Sequence, residues 1–257
     1  MLIVESLAFY LVAVPAVLLV GVGKGGFAGG FGMLAVPLLA FTISPLRAAA
    51  IMLPILCVMD LTGVKIWLNR WDHALMAKLL PGAVLGIVVG ALTFRFVDDT
   101  FMRLLIGLMA LIFPLNHWLG RWLKPGRRSL RLPEYASATL WSGLSGYTSF
   151  VAHAGSPPVM IYLLPKKLDK GVFVGTVTIY FAVVNYVKLI PYALLGQLDT
   201  ENLLTSLILA PVAVVGVKLG VWLHGHVDGR VFTQLMYVFL FFAGMKLTWD
   251  GIVKVLA

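Results

Sequence analysis

Charge is scarce in this chain. Of its 257 residues only 12% are Asp, Glu, Lys or Arg, about half the roughly 25% usual in soluble domains. A soluble fold carries most of its charge on its surface and cannot hide so much apolar area. A conventional soluble enzyme is therefore excluded. A single cysteine, Cys57, excludes a secreted disulfide scaffold. No polar low-complexity tract is present, which excludes a disordered chain. Acids are rarer than bases, 11 against 20. Such a balance accompanies nucleic-acid binders, but here the bases sit mostly in short connections between apolar runs. That is the pattern of membrane topology, and nucleic acid is not the expected partner. Walker, G-x-S-x-G, H-E-x-x-H and paired-aspartate motifs are missing too, so no catalytic residue, metal or cofactor is expected.

What is present is apolar: 60% of the residues are hydrophobic and mean hydropathy is +0.96. The expected fold is an all-α integral membrane protein of the cell (plasma or inner) membrane. A membrane-spanning helix needs about 20 apolar residues. Val4–Val22, Ala48–Trp67, Leu79–Val97, Phe101–Leu119, Val172–Leu195, Leu203–Trp222 and Val231–Trp249 qualify. Met33–Phe41, Tyr135–Gly146 and Pro157–Leu164 are shorter and do not cross comfortably alone. The first run carries Glu5 and no basic leader, so it reads as a retained helix rather than a signal peptide.

The two halves correspond. A shift of 123 lays Gly32 on Gly155, Arg47 on Lys170 and Lys65 on Lys188, and a shift of 130 lays Pro81 on Pro211, Gly86 on Gly216, Gly90 on Gly220 and Asp98 on Asp228. The joint is the basic stretch GRWLKPGRRSLRLPE at 120–134, which gives a first transmembrane repeat at 1–119 and a second at 135–257. With the linker in the cytoplasm, and each half crossing an odd number of times, eleven basic residues fall on its side and four on the other. The positive-inside rule then sets both termini outside and the halves in opposite senses. The expected architecture is two inverted-topology repeats, each with Gly-rich broken or re-entrant helices followed by three transmembrane helices. Such repeats form a transport site at their interface near midplane.

Gly21–Pro37, GVGKGGFAGGFGMLAVP, is the most informative segment. Each glycine costs a helix about 1 kcal/mol relative to alanine, so the segment is expected to break, with Gly29, Gly30 and Gly32 offering amides to an anion. Its counterpart GYTSFVAHAGSPP contains His153, Gly155 and Ser156, with Pro157 and Pro158 suited to a first helical turn. Gly21, Gly23 and Gly26 match G-x-G-x-x-G, but no strand precedes them and no acid stands near position 46, so a dinucleotide site is rejected.

The Gly-rich break followed by MLAVPLL, repeated in altered form, resembles the TauE/SafE sulfite exporter family, as does KGVFVGTVTIYFAVVNYVKLIPYALLGQL at Lys170–Leu198. The resemblance covers nearly the whole chain and implies transport of sulfite, thiosulfate or organosulfonates. It adds Thr176 and Asn185 to the candidate site. The first half lacks the Gly-Thr feature of Gly175 and Thr176, and His153 and Ser156 stand where glycines are common in the family.

A charge within a span is a functional candidate by default. Lys188, eight residues before Gly196, is the deepest base, and Lys65 is its repeat counterpart. For Lys65, binding and snorkelling to the interface stand side by side. Lys24 is an anion contact or an interfacial anchor. Asp60, an acid well inside a strong span, pairs with a lysine or titrates with a coupled proton or cation. The leading function is a secondary transporter working by alternating access. An anion channel is the alternative; an intramembrane enzyme gives no reason for the inverted duplication, and a purely structural subunit explains the glycine packing but not the paired buried lysines.

Overall fold

The computed structural model describes residues 6–27, 32–120, 132–224, 226 and 229–256. All regular structure among them is helical. The helices are α1 (Leu7–Gly26), α2 (Ala35–Leu39), α3 (Pro45–Trp67), α4 (His73–Thr93), α5 (Asp99–Leu119), α6 (Glu134–Ala152), α7 (Ser156–Leu163), α8 (Lys170–Leu194), α9 (Thr200–His224) and α10 (Gly229–Leu256). Six of them, α1, α3, α4, α5, α8 and α9, are long and apolar enough to cross a membrane. α10 covers the seventh expected span with 28 residues. Their outer faces carry large exposed aliphatics such as Leu85, Leu92, Ile190 and Leu207, as lipid contact requires.

Starts and stops follow local chemistry. Ser44, Asp72 and Asp98 accept the backbone N–H three residues on, capping α3, α4 and α5. Pro45 occupies the first turn of α3, where its missing N–H leaves no bond unmade.

Two expectations are corrected. Tyr135–Gly146 is not a short piece: α6 runs 19 residues, to Ala152. And the glycines at 21–26 do not interrupt the chain, because α1 stays helical through Gly26. They serve close packing instead. A Cβ at Gly21 would stand 2.9 Å from the Gly216 backbone, and one at Gly25 or Gly26 would overlap the carbonyls of Val217 or Gly220. The α1–α9 seam is thus built backbone to backbone. Its counterpart is α4 on α6, where Gly82, Gly86 and Gly90 face Ser142, Gly143 and Phe150.

Other pairings include α5 with α10, through Gly107, Ala110, Gly244 and Thr248, and α3 with both α8 and α9. α6 and α7 form a hairpin whose two ends return to the same place: Glu134, at the start of α6, accepts from Lys78 Nζ at 2.9 Å and from Lys166 Nζ, just past α7, at 3.0 Å. These two ammonium groups hold the Glu134 carboxyl down to about 2, well below its ordinary range, the Lys78 hydrogen bond contributing most. Arg70 lies at this end too, beside Gly171. At the opposite end Arg47 pairs with Glu201, and Arg103 donates to the Ala40 carbonyl.

Candidate anion site between α3, α6 and α8

The hairpin turn places the first functional group. α6 ends in a left-handed cap, in which the His153 N–H bonds to the Ser149 carbonyl and the Ala154 N–H to the Thr148 carbonyl, both at 3.1 Å. This requires His153 to adopt the left-handed conformation, φ 52°, which normally favours glycine. The ring gains fixed partners in return. Its Nε2 lies 2.9 Å from the Ala49 carbonyl of α3. A carbonyl only accepts, so Nε2 carries the proton and Nδ1 is left as an acceptor.

Lys188 of α8 meets that acceptor. Its side chain is completely buried, and its Nζ donates to His153 Nδ1 at 2.9 Å, to the Ser149 carbonyl at 2.9 Å and to Ser149 Oγ at 3.0 Å. Three donors meet three acceptors, and all three are neutral. Tyr192, one turn further along α8, lies flat against the His153 ring at 6.2 Å between centroids and donates to the Phe150 carbonyl at 2.7 Å.

A second cluster adjoins the first. Lys24 of α1, nearly buried, pairs with the fully buried Asp60 of α3 at 2.5 Å. The other carboxylate oxygen accepts from Asn185 Nδ2 at 2.6 Å. Asn185 and Lys188 are neighbours on one face of α8 at i and i+3, so α8 joins the clusters. Asp60 lies fifteen residues into α3, and Asn185 fifteen into α8. The two helices therefore touch at equivalent positions, about a turn past the middle of each.

The fold thus brings together Lys188, His153, Asn185, Asp60 and Lys24. Gly32 stands nearby, its open side toward the His153 carbonyl. Lys65 is not brought in: it is exposed in the last turn of α3, where the helix has already left the cluster. Thr176 is also elsewhere, about 18 Å along α8 from Lys188 by helical rise. Its hydroxyl accepts the Asp72 N–H at 2.9 Å and fixes the connection between α3 and α4. Gly155 is a packing glycine, pressed against Ser149 Cβ, with its carbonyl accepting from Ser145 Oγ at 2.6 Å. Ser156 is buried at the first position of α7, followed by two prolines that supply no N–H. Gly29, Gly30 and the linker bases Arg121, Lys124, Arg127, Arg128 and Arg131, like Asp228, lie outside the described residues.

Ser149 is the contact that sequence reading did not assign to the site. It lies in the last turn of α6, four residues before His153, and a polar residue at the end of an apolar helix was the available signal. Among the described residues no cluster of His, Cys, Asp and Glu has the form of a metal site.

Comparison with known proteins gives two matches for the chain. The sulfite exporter TauE/SafE family matches residues 13–247. The probable inner membrane transporter protein TsaS of Comamonas testosteroni is 27% identical over 182 residues, covering 70% of this chain and 72% of that protein. No solved structure matches the chain.

Proposed function

Because the chain belongs to the TauE/SafE sulfite exporter family, a family of membrane transporters and not of enzymes, we propose that it is a secondary carrier of the cell's inner membrane for a small sulfur-containing anion, sulfite, thiosulfate or an organosulfonate, bound beside Lys188. One observation carries this reading. Among the described residues, Lys188 is a fully buried ammonium whose hydrogen bonds all go to neutral acceptors, and the carboxylate nearby, Asp60, is already paired with Lys24. A buried charge is costly unless it is paired. An anion at this point supplies the missing charge, and release of the anion restores the neutral acceptors as placeholders.

The architecture supports movement around that point. We read the chain as repeats 1–119 and 135–257 joined by the linker 120–134. Exchanging α1 to α5 with α6 to α10 carries the α1–α9 seam onto the α6–α4 seam, and carries α3–α8 and α5–α10 onto themselves, as a two-fold axis through the Asp60–Asn185 contact would require. The end that gathers Arg70, Lys78 and Lys166 is the cytoplasmic one by the positive-inside rule. Rocking of one repeat against the other then opens the site to each side in turn.

The test is counterflow of labelled thiosulfate and sulfite in proteoliposomes. Hydrogen bonds to a charged group are worth about 1.5–3 kcal/mol, so Lys188→Gln should lower saturable exchange by roughly ten- to a hundredfold. The exposed Lys65→Ala should stay within about twofold of wild type. Undiminished exchange in Lys188→Gln, with the protein folded, would remove the site.

A further inference from the structure

The buried charges around Lys188 do not sum to zero. Lys24 and Asp60 cancel through their ion pair. His153 is neutral, because its Nδ1 accepts from Lys188 while its Nε2 donates to Ala49. Lys188 is left as one net positive charge. A monovalent anion balances it. A divalent anion overshoots and leaves a buried net negative charge, which the apolar surroundings strongly oppose.

Resting on the carrier reading above, we propose that Asp60 is a proton site that adapts this carrier to divalent anions: a proton on Asp60 releases Lys24 from the ion pair, and Lys24 and Lys188 then hold the dianion together. A dianion crosses with one proton, and a monovalent anion crosses with none. The geometry supplies what this exchange needs. Among the described residues, Asp60 Oδ2 is held by Asn185 and Oδ1 faces Lys24 alone, so Oδ1 takes the proton while Asn185 keeps its bond and the carboxyl keeps its place. Asn185, which holds Asp60 and through it Lys24, stands one turn from Lys188 on the same face of α8. The freed Lys24 ammonium therefore has a dianion beside Lys188 as its new counter-charge.

Among the described residues, few groups lie around Asp60. Lys24 comes from α1, Cys57 from α3 itself, and Asn185, Tyr186 and Lys188 from α8. α2 is AVPLL and brings no titratable group. α9 meets α3 through the Ser206 hydroxyl on the Ile51 carbonyl, and α5 has its Arg103 at the far end, on Ala40. From the turn after α6, His153 reaches Asp60 only by way of Lys188. Asp60 is thus the carboxylate through which this site can gain a proton.

The experiment is net uptake into proteoliposomes with the membrane potential clamped, recording anion entry and luminal pH together. Thiosulfate serves as the dianion and methanesulfonate as the monoanion. Wild type should move one proton with each thiosulfate and none with methanesulfonate, and in Asp60→Asn the proton-to-thiosulfate ratio should fall from one to zero at whatever rate remains. Equal ratios for the two anions in wild type would overturn the proposal without any variant, as would a ratio of one persisting in Asp60→Asn. If wild type moves neither anion, the carrier reading itself has failed, and the proton site falls with it.

Discussion

A histidine held in the left-handed region carries a backbone penalty of about 1–2 kcal/mol. His153 stays there because both ring nitrogens and one ring face are engaged, by Ala49, Lys188 and Tyr192. Backbone and ring can be separated experimentally. His153→Gly should keep the hairpin turn, whereas His153→Ala should be less stable than His153→Gly by about 1 kcal/mol in thermal melts. Both should lose most thiosulfate counterflow, since Lys188 loses its ring acceptor. Alanine ranking above glycine would mean that the turn does not impose the left-handed conformation. At this scale the sequence was partly legible. Lys188, His153 and Asp60 stand out as polar residues in apolar runs, and their candidacy needed no coordinates. Their partners did not stand out: Lys24 meets Asp60 across 36 positions, and no local pattern encodes such a contact.

Helix glycines have two opposite uses, breaking a helix or letting another backbone approach, and composition alone does not separate them. For Gly21, Gly25 and Gly26 the second use prevails, because a Cβ at each would run into the backbone of α9. The same logic predicts a sharp contrast within the α4–α6 seam. A Cβ at Gly86 would overlap the Gly143 carbonyl, whereas one at Gly143 would meet only the Gly82 carbonyl, at an ordinary 3.5 Å. Gly86→Ala should therefore destabilise by about 1–3 kcal/mol and Gly143→Ala by less than about 0.5 kcal/mol, as read by detergent-induced unfolding. Equal effects would mean that the seam is looser than described. α6 illustrates the converse difficulty. Ser142, Ser145, Thr148 and Ser149 lower its hydropathy and shorten the apparent span, yet three of the four are buried against protein and the helix continues past them.

For the whole molecule, the charge distribution and the fold meet at the two ends. Arg70, Lys78 and Lys166 gather around Glu134 and Gly171, and Arg47 and Arg103 lie at the other end. In a Cys57→Ala background, an impermeant maleimide applied to intact cells should label Thr42→Cys, which is exposed between α2 and α3. Lys167→Cys, exposed after α7, should label only after lysis. Labelling of both from outside would overturn the orientation, and with it the assignment of the linker to the cytoplasm.

Composition and hydropathy were enough to show a helical membrane protein, where most of its helices run and which polar residues are out of place in them. Those properties follow from transfer of side chains into an apolar medium, a largely local energy that sums along the chain. The sequence also carried the family resemblance in its motifs. Tertiary structure alone decided which charges cancel. Lys65 of α3 and Lys188 of α8 both lie past the middle of long apolar helices, yet one is exposed and the other wholly buried. Lys24, an apparent anchor, neutralises Asp60 and so leaves Lys188 with neutral partners. Electrostatic pairing depends on distance through space, and here that distance is set by backbones brought together at the glycine seams.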